Sequence, residues 1–358
     1  MRKHTRPVFV SGKPIYTLAQ SETGKPQSNC LNPVIIISGK GSELGNDKFL
    51  KGKAKRKIIS QKMAKSLMDI AEKKDNQEQK KSFRNTYYCQ SKVYSYNGRL
   101  YGKYCKNRYC TVCSSIRKAE IINNYLPVMK EWKDPYFLTL TIKACKANNL
   151  KEMLKGILTA FKLINAKFRK RNQRNSGIRL MGIKSLECNF NPVKGTYNPH
   201  LHVIVASKEI AETLLNEWLD IWNDKFKLFT SRKAQFYRPV QNLENDLVET
   251  IKYGSKIFTE PDVSTKSKKT GNRDIYAKAL YNIFMAMKGL RIFDRFGFDL
   301  PEKLKKTIPA QVVANYIEWK FSPQYHDWLT QNELTLTGYI APVELLNLLV
   351  YSIDKELE

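Results

Sequence analysis

The sequence predicts an α+β fold: a central antiparallel sheet of about five strands with helices on one face, preceded by a small zinc-ribbon-like segment and a basic N-terminal extension. Three observations predict it. Segments of β-forming residues at 135–143, 178–190, 197–206 and 234–240 are interleaved with segments of helical apolar period at 148–170 and 208–226. The resulting order β-α-β-β-α-β closes into one antiparallel sheet with helices packed on it. Cys105, Cys110 and Cys113 crowd into one short stretch ahead of that order, behind a lysine-rich start.

Composition bounds the class. The 358 residues can hold one large or two to three modest domains, and a hydrophobic fraction of 42% is enough for real cores. Lys and Arg total 62 against 33 Asp and Glu, a net charge of +29, which calls for a polyanionic partner and makes nucleic acid the first candidate. No apolar run is long enough to span a bilayer, and the start, Met1 to Pro7, lacks the apolar centre of a signal peptide. The expectation is a soluble cytoplasmic protein with no membrane partner. Seven cysteines in such a chain argue for metal ligands or free thiols over disulfides. The expected division is a basic, largely flexible extension over 1–82, a cysteine-rich zinc segment over 83–115, a nuclease-like domain over 116–300 and a helical region over 301–358.

The elements follow in order. Residues 1–50 are rich in Gly, Ser, Pro and Lys, interrupted by the apolar run Val34 to Ile37. Five basic residues in the seven from Lys51 to Lys57 lead into a helix over 58–80, with Ile59, Met63, Leu67 and Ile70 at helical spacing; it reads equally as a solvated or a phosphate-contacting helix. Asn97-Gly98, between alternating aromatic and polar residues, marks a hairpin. Cys110 and Cys113 have knuckle spacing, and Cys89 and Cys105 at the hairpin's ends would complete a four-thiolate Zn²⁺ site. Cys30, Cys145 and Cys188 read as ordinary thiols. A helix over 114–133 contains Pro127. The stripe Leu150, Met153, Leu154, Ile157, Leu158, Phe161, Ile164 and Phe168 makes 148–170 the clearest helix. It ends in Lys167, Arg169, Lys170, Arg171 and Arg174, more cations than a helix C-terminus needs, and so a candidate DNA contact. After the tyrosine segment, 255–272 reads as a mobile polar loop, followed by a helix over 275–288 and a strand at 290–293. Residues 343–357 resemble an amphipathic helix, either a cap or an oligomer contact.

The chemistry concentrates between residues 182 and 256. His200 and His202 lie two apart on a strand whose other face carries Leu201, Val203 and Val205, so both imidazoles share the open face and can share a divalent cation. Folding back the hairpin at 191–195 brings Glu187 beside them as a candidate third ligand. A short helix then places Glu249 one turn before Tyr253, with Lys252 and Lys256 close by.

Three motifs in this order resemble those of the HUH endonucleases, in particular the rolling-circle plasmid replication initiators: Phe137-Leu138-Thr139-Leu140-Thr141, Asn198-Pro199-His200-Leu201-His202, and Glu249-x3-Tyr253-x2-Lys256. The cysteine-rich stretch 105–113 and Lys288-Gly289-Leu290-Arg291-Ile292 resemble the same family, and the likeness covers about residues 84–298. The resemblance implies an RRM-like HUH sheet in which His200, His202 and the less conserved position Glu187 hold Mg²⁺ or Mn²⁺. It implies that Tyr253 attacks a phosphodiester, leaving a 5′-phosphotyrosine and a 3′-hydroxyl primer. Glu249 would activate water or assist the second strand transfer, Lys256 would stabilise the phenolate or the phosphate, and Lys252 would contact DNA. The implied partners are single- and double-stranded origin DNA, a host helicase and the replicative polymerase, with a dimer possible. Rival readings are an HUH transposase or mobilisation relaxase, which two neighbouring tyrosines would favour, and a non-catalytic, zinc-containing RRM-like module, which would need exposed aromatics where the histidines stand.

Overall fold

A computed structural model describes residues 8–10, 13–15, 42–43, 47–96, 98–228, 230–251, 273–301 and 316–346. In chain order the elements are β1 (Val8–Val10), β2 (Lys13–Ile15), β3 (Ser42–Glu43), α1 (Asp47–Lys73), α2 (Gln77–Tyr87), β4 (Lys92–Tyr96), β5 (Arg99–Gly102), α3 (Thr111–Met129) and β6 (Tyr136–Thr141). There follow α4 (Leu150–Gln173), β7 (Gly182–Asn191), β8 (Thr196–Val205), α5 (Lys208–Asp220), β9 (Phe236–Pro239), α6 (Leu243–Thr250), α7 (Arg273–Met287), β10 (Phe293–Phe296), β11 (Ile317–Ser322), β12 (Asp327–Leu329) and α8 (Val343–Leu346). Several expected features lie outside the described residues: Cys30, the run Val34 to Ile37, Asn97, Lys252, Tyr253, Lys256, the loop 255–272 and the helix beyond Leu346.

The chain divides into two compact units. The larger takes in residues 69–76 and 114–302. Its five-stranded sheet has the order β10-β7-β8-β6-β9, every pairing antiparallel, as the sequence predicts. Strand alternation separates its two faces. Leu138, Leu140, Leu186, Leu201, Val203 and Val205 point one way and pack under α4, α5 and α7, which bury Leu154, Ile157, Phe161, Leu214, Trp218 and Ile283 against them. Phe137, Ile183 and Ile204 point the other way. There they meet Ile121 and Met129 of α3 and Leu247 and Ile251 at α6. Helices therefore cover the first face as expected and, in addition, one end of the second. The rest of that second face carries the histidines. The strand expected at 290–293 forms three residues later, after Gly289 turns the chain at φ +80°.

The second unit gathers residues 1–68, 77–113 and 303–348, and here two expectations fail. Residues 47–82 are not a flexible extension: α1 runs for 27 residues and buries Ala54, Met63, Ala64 and Leu67 completely. Among its described residues the C-terminal region is not all helical: besides the short α8 it supplies β11 and β12, giving the sheet order β12-β11-β4-β5-β3. The physical reason is a shared core. Leu50, Ala54, Val93, Leu100, Trp319, Trp328 and Leu336 pack together from three separated stretches of chain. Both indoles are anchored, Trp328 Nε1 donating to Gln90 O (2.7 Å) and Trp319 Nε1 to Ser95 Oγ (2.8 Å). The basic run is not wholly a solvated face: Lys53 and Lys57 point inward and are buried, while Lys51 and Lys55 are exposed.

Candidate metal centres

On the second face of the larger sheet, Glu187 pairs directly with His200, and Ser185 and Thr139 flank His202 from either side. Strand register thus puts three ligand atoms on one surface, all within 4.8 Å of one another. The Nε2 of His202 is 3.4 Å from Glu187 Oε2, and that of His200 is 4.0 Å from it. His200 Nδ1 lies 2.9 Å from the carbonyl of Asn198, to which it donates, and His202 Nδ1 is 3.1 Å from Thr139 Oγ1. With each Nδ1 engaged, each ring turns Nε2 towards the carboxylate. This is how metal-ligating histidines are held. A mixed N/O donor set converging this closely fits one divalent cation of the Mg²⁺/Mn²⁺ type. Glu187 and His200 are buried and His202 is half-buried, which limits the ring motion that would scatter the donors.

The triad's surroundings are graded. Phe137 packs on the His202 ring with centroids 5.4 Å apart, and Phe236, 6.4 Å from Phe137, presents a half-exposed ring on the same face. Arg238, one pleat along on β9, lies over the Phe137 ring and forks onto Asp246 of α6, with N–H···O distances of 2.9 and 2.5 Å. That bond raises the Arg238 pKa above its ordinary value, against a smaller opposing effect of burial. α6 is started by Asn242, whose side chain accepts from Asn245 N, and is seated by Leu247 and Ile251, both fully buried. Glu249 on α6 is half-buried. Tyr253, Lys252 and Lys256 lie outside the described residues.

The other cluster belongs to the smaller unit. Cys89, Cys105, Cys110 and Cys113 bring their Sγ atoms within 4.8 Å of one another, with Cys113 at 3.6 Å from both Cys89 and Cys105. A tetrahedral ion with Zn–S bonds of about 2.3 Å requires S···S separations of about 3.8 Å, so the four fit zinc. Backbone N–H groups of Cys105 and Cys113 point at the sulfurs of Cys89 and Cys110 (3.4 and 3.5 Å), and Ser60 Oγ donates to Cys110 (3.4 Å). Hydrogen bonds from Cys105, Cys113 and Cys89 hold the Cys110 thiol well below the ordinary range. Lys57 Nζ donates to the carbonyls of Tyr87 (2.8 Å) and Cys89 (2.7 Å). Burial pulls Lys53 and Lys57 down to about 8, a cost that a metal tetrathiolate of net charge −2 alongside would offset.

A family model described as "Replication protein" matches residues 99–305, more than half of the chain. The chain belongs to that family, the rolling-circle plasmid replication initiators. A "Protein rep" of Staphylococcus aureus is 31% identical over 165 residues, covering 42% of this chain and 69% of the relative. One of Lactiplantibacillus plantarum is 25% identical over 232 residues, covering 59% and 68%, and one of a Bacillus species 25% over 134 residues, covering 35% and 42%. No solved structure matches. The initiator match includes both histidines, Glu187 and three of the four clustered cysteines; Cys89 falls before it. No helix among the described residues is long and apolar enough to cross a membrane.

The cations expected to contact DNA are placed apart from the triad. Lys167, Arg169, Lys170, Arg171 and Arg174 close α4, in the helix layer on the sheet face away from the histidines. Lys167 is paired with Glu217 of α5 at 2.5 Å, and Arg171 lies over Phe168. Sequence reasoning missed Thr139 and the Arg238–Asp246 fork. Thr139 stands in the first motif, one strand from His202, and alternation alone could have found it. The fork joins a strand to a helix across a turn and has no sequence signature.

Proposed function

We propose that this initiator starts rolling-circle replication by cutting one strand of its origin through a covalent tyrosine intermediate. The observation that carries the reading is the triad: two imidazole Nε2 atoms and a carboxylate converge on the sheet face where α6 ends at Ile251. Tyr253 follows Ile251 by two residues, a stretch of at most about 7 Å. Glu187, His200 and His202 would hold a divalent cation, which when bound withdraws charge from the scissile phosphate and orients it. Tyr253 Oη forms the new bond to phosphorus as its proton departs. The O3′–P bond breaks, and the 3′ oxygen takes up a proton to become the primer hydroxyl. Glu249, four residues before Tyr253 in sequence, later removes a proton from the water or hydroxyl that resolves the adduct. Phe236 offers a ring on which a base of the strand can stack. The cysteine cluster would hold a structural Zn²⁺. Origin DNA is the partner, with a host helicase to open the duplex and a host polymerase to extend the primer.

The test is cleavage of a single-stranded origin oligonucleotide with Mn²⁺. A 5′-linked protein–DNA adduct is expected from the wild type and should vanish in Tyr253→Phe. Glu249→Ala should still form it but release little product. An adduct that persists in Tyr253→Phe removes the nucleophile assignment, and cleavage indifferent to Mn²⁺ removes the role of the triad.

A further inference from the structure

At the Gly182 end of the larger sheet a cleft of about 590 Å³ opens between α4 and the turn after edge strand β10. Its walls carry Asn165, Arg169 and Asn172 from α4, Arg179 from the segment leading into β7, and Arg295 and Asp299 from the far side. The floor is set by Gly297, at φ +74°, whose backbone lies so close to Leu180 O that an added Cβ would stand 1.9 Å from it. Arg295 donates to Phe298 O (3.1 Å) and to Asp299 (3.5 Å). Among the described residues Arg169 and Arg179 make no ion pair.

Helix-dipole compensation explains basic residues in the last turn of α4. It does not explain Arg179, five residues past Arg174, or Arg295, which arrives from another strand. Three arginines from three chain segments line one concavity together with carboxamides, and Arg169 and Arg179 supply donors suited to phosphodiester oxygens. Glu187 is five residues along β7 from Gly182, about 17 Å at strand rise, so the cleft and the triad do not hold the same phosphate. The cleft also offers no ring for base stacking. Phe296 is buried, and Phe298 packs edge-on against Trp132 (5.5 Å) and Tyr125 (6.3 Å). Single-strand sites depend on such rings, whereas a duplex presents its phosphates without them.

We propose that this cleft is a second DNA site of the initiator, gripping the phosphate backbone of double-stranded DNA while the strand to be cut lies at the triad. The proposal rests on the chain acting on DNA, but not on the tyrosine chemistry. It is tested by binding alone. The affinity of the full chain for an origin duplex is measured across a salt series, for the wild type and for Arg169→Ala/Arg179→Ala. Each phosphate contact contributes about 0.9 to the slope of log K against log salt, so the variant's slope should be smaller by about 2, with at least about tenfold weaker binding at low salt. Arg169→Lys/Arg179→Lys should keep most of the slope. Lys151→Ala/Lys155→Ala, at the other end of α4, removes the same charge and should leave the slope unchanged. A short single-stranded oligonucleotide should not displace the labelled duplex. An unaltered slope in the arginine variant, an equal fall in the lysine control, or displacement by the single strand would each overturn the proposal. A failure of the adduct assay would leave these readouts intact.

Discussion

Thr139 is not one of the three candidate ligands, yet it governs how His202 is presented. Its hydroxyl, 3.1 Å from Nδ1, fixes the ring about its Cβ–Cγ bond and leaves Nε2 to face Glu187. His200 achieves the same end with the carbonyl of Asn198, two residues back on its own strand, which no side-chain substitution can remove. The two histidines should therefore differ in how far their partners can be perturbed. Thr139→Val keeps the strand propensity and nearly the shape but deletes the hydroxyl. Mn²⁺ affinity, followed by titration calorimetry, should fall by about 10- to 100-fold, the usual effect of losing an outer partner of a ligating histidine. The melting temperature should hardly move, because Thr139 itself is only half-buried and the substitution leaves no cavity. An unchanged Mn²⁺ affinity would mean that Phe137, packed on the same ring, orients His202 unaided.

At the scale of elements, the decisive one is α6, only eight residues long and so too short to be stable by itself. Three devices hold it: the Asn242 cap, the buried pair Leu247 and Ile251, and the fork from Arg238 of β9 to Asp246. Asp246 is buried, so deleting its partner leaves a carboxylate without its cation. Arg238 is about one-third exposed, which reduces the loss from the full buried-pair value to about 2 kcal/mol for Arg238→Ala. Arg238→Ala/Asp246→Ala should recover part of that loss, and amide exchange across 243–251 should rise most in the single variant. Additive effects in the double-mutant cycle would show that the fork contributes nothing as a pair. The sequence displays much of this level. The stripe from Leu150 to Phe168 and the alternation around His200 and His202 reveal the helix and the strand because burial on one face leaves a period. The same stripe points the basic end of α4 into the helix layer, away from the histidines. A count of charges without regard to helix rotation does not register that.

The whole molecule shows where local reading stops. The family match spans 99–305, yet the smaller unit is completed by α1, α2 and β4 before it and by β11 and β12 after it. β11 pairs with β4 across more than 200 residues, Trp319 opposite Val93, and no local period announces such a partner. The cysteine cluster depends on this closure. Cys89 leads through Gln90 and Ser91 into β4; Gln90 O receives the Trp328 indole, and Ser91 O accepts from Phe321 N at 2.7 Å. Cys89, itself ahead of the family match, is thus braced by residues that follow it. Trp328→Ala removes a fully buried ring and its bond to Gln90 O, a loss of about 3–5 kcal/mol. Deletion of residues 316–358 removes β11 as well and leaves Val93 and Leu100 without their cover. Zinc bound per chain, measured after a competing chelator, should fall below that of the full chain in Trp328→Ala and approach the level of Cys110→Ser/Cys113→Ser in the deletion. Full zinc content in the deletion would show that the four cysteines assemble on α1 and α2 alone, and that β11 and β12 serve some purpose other than closing this unit.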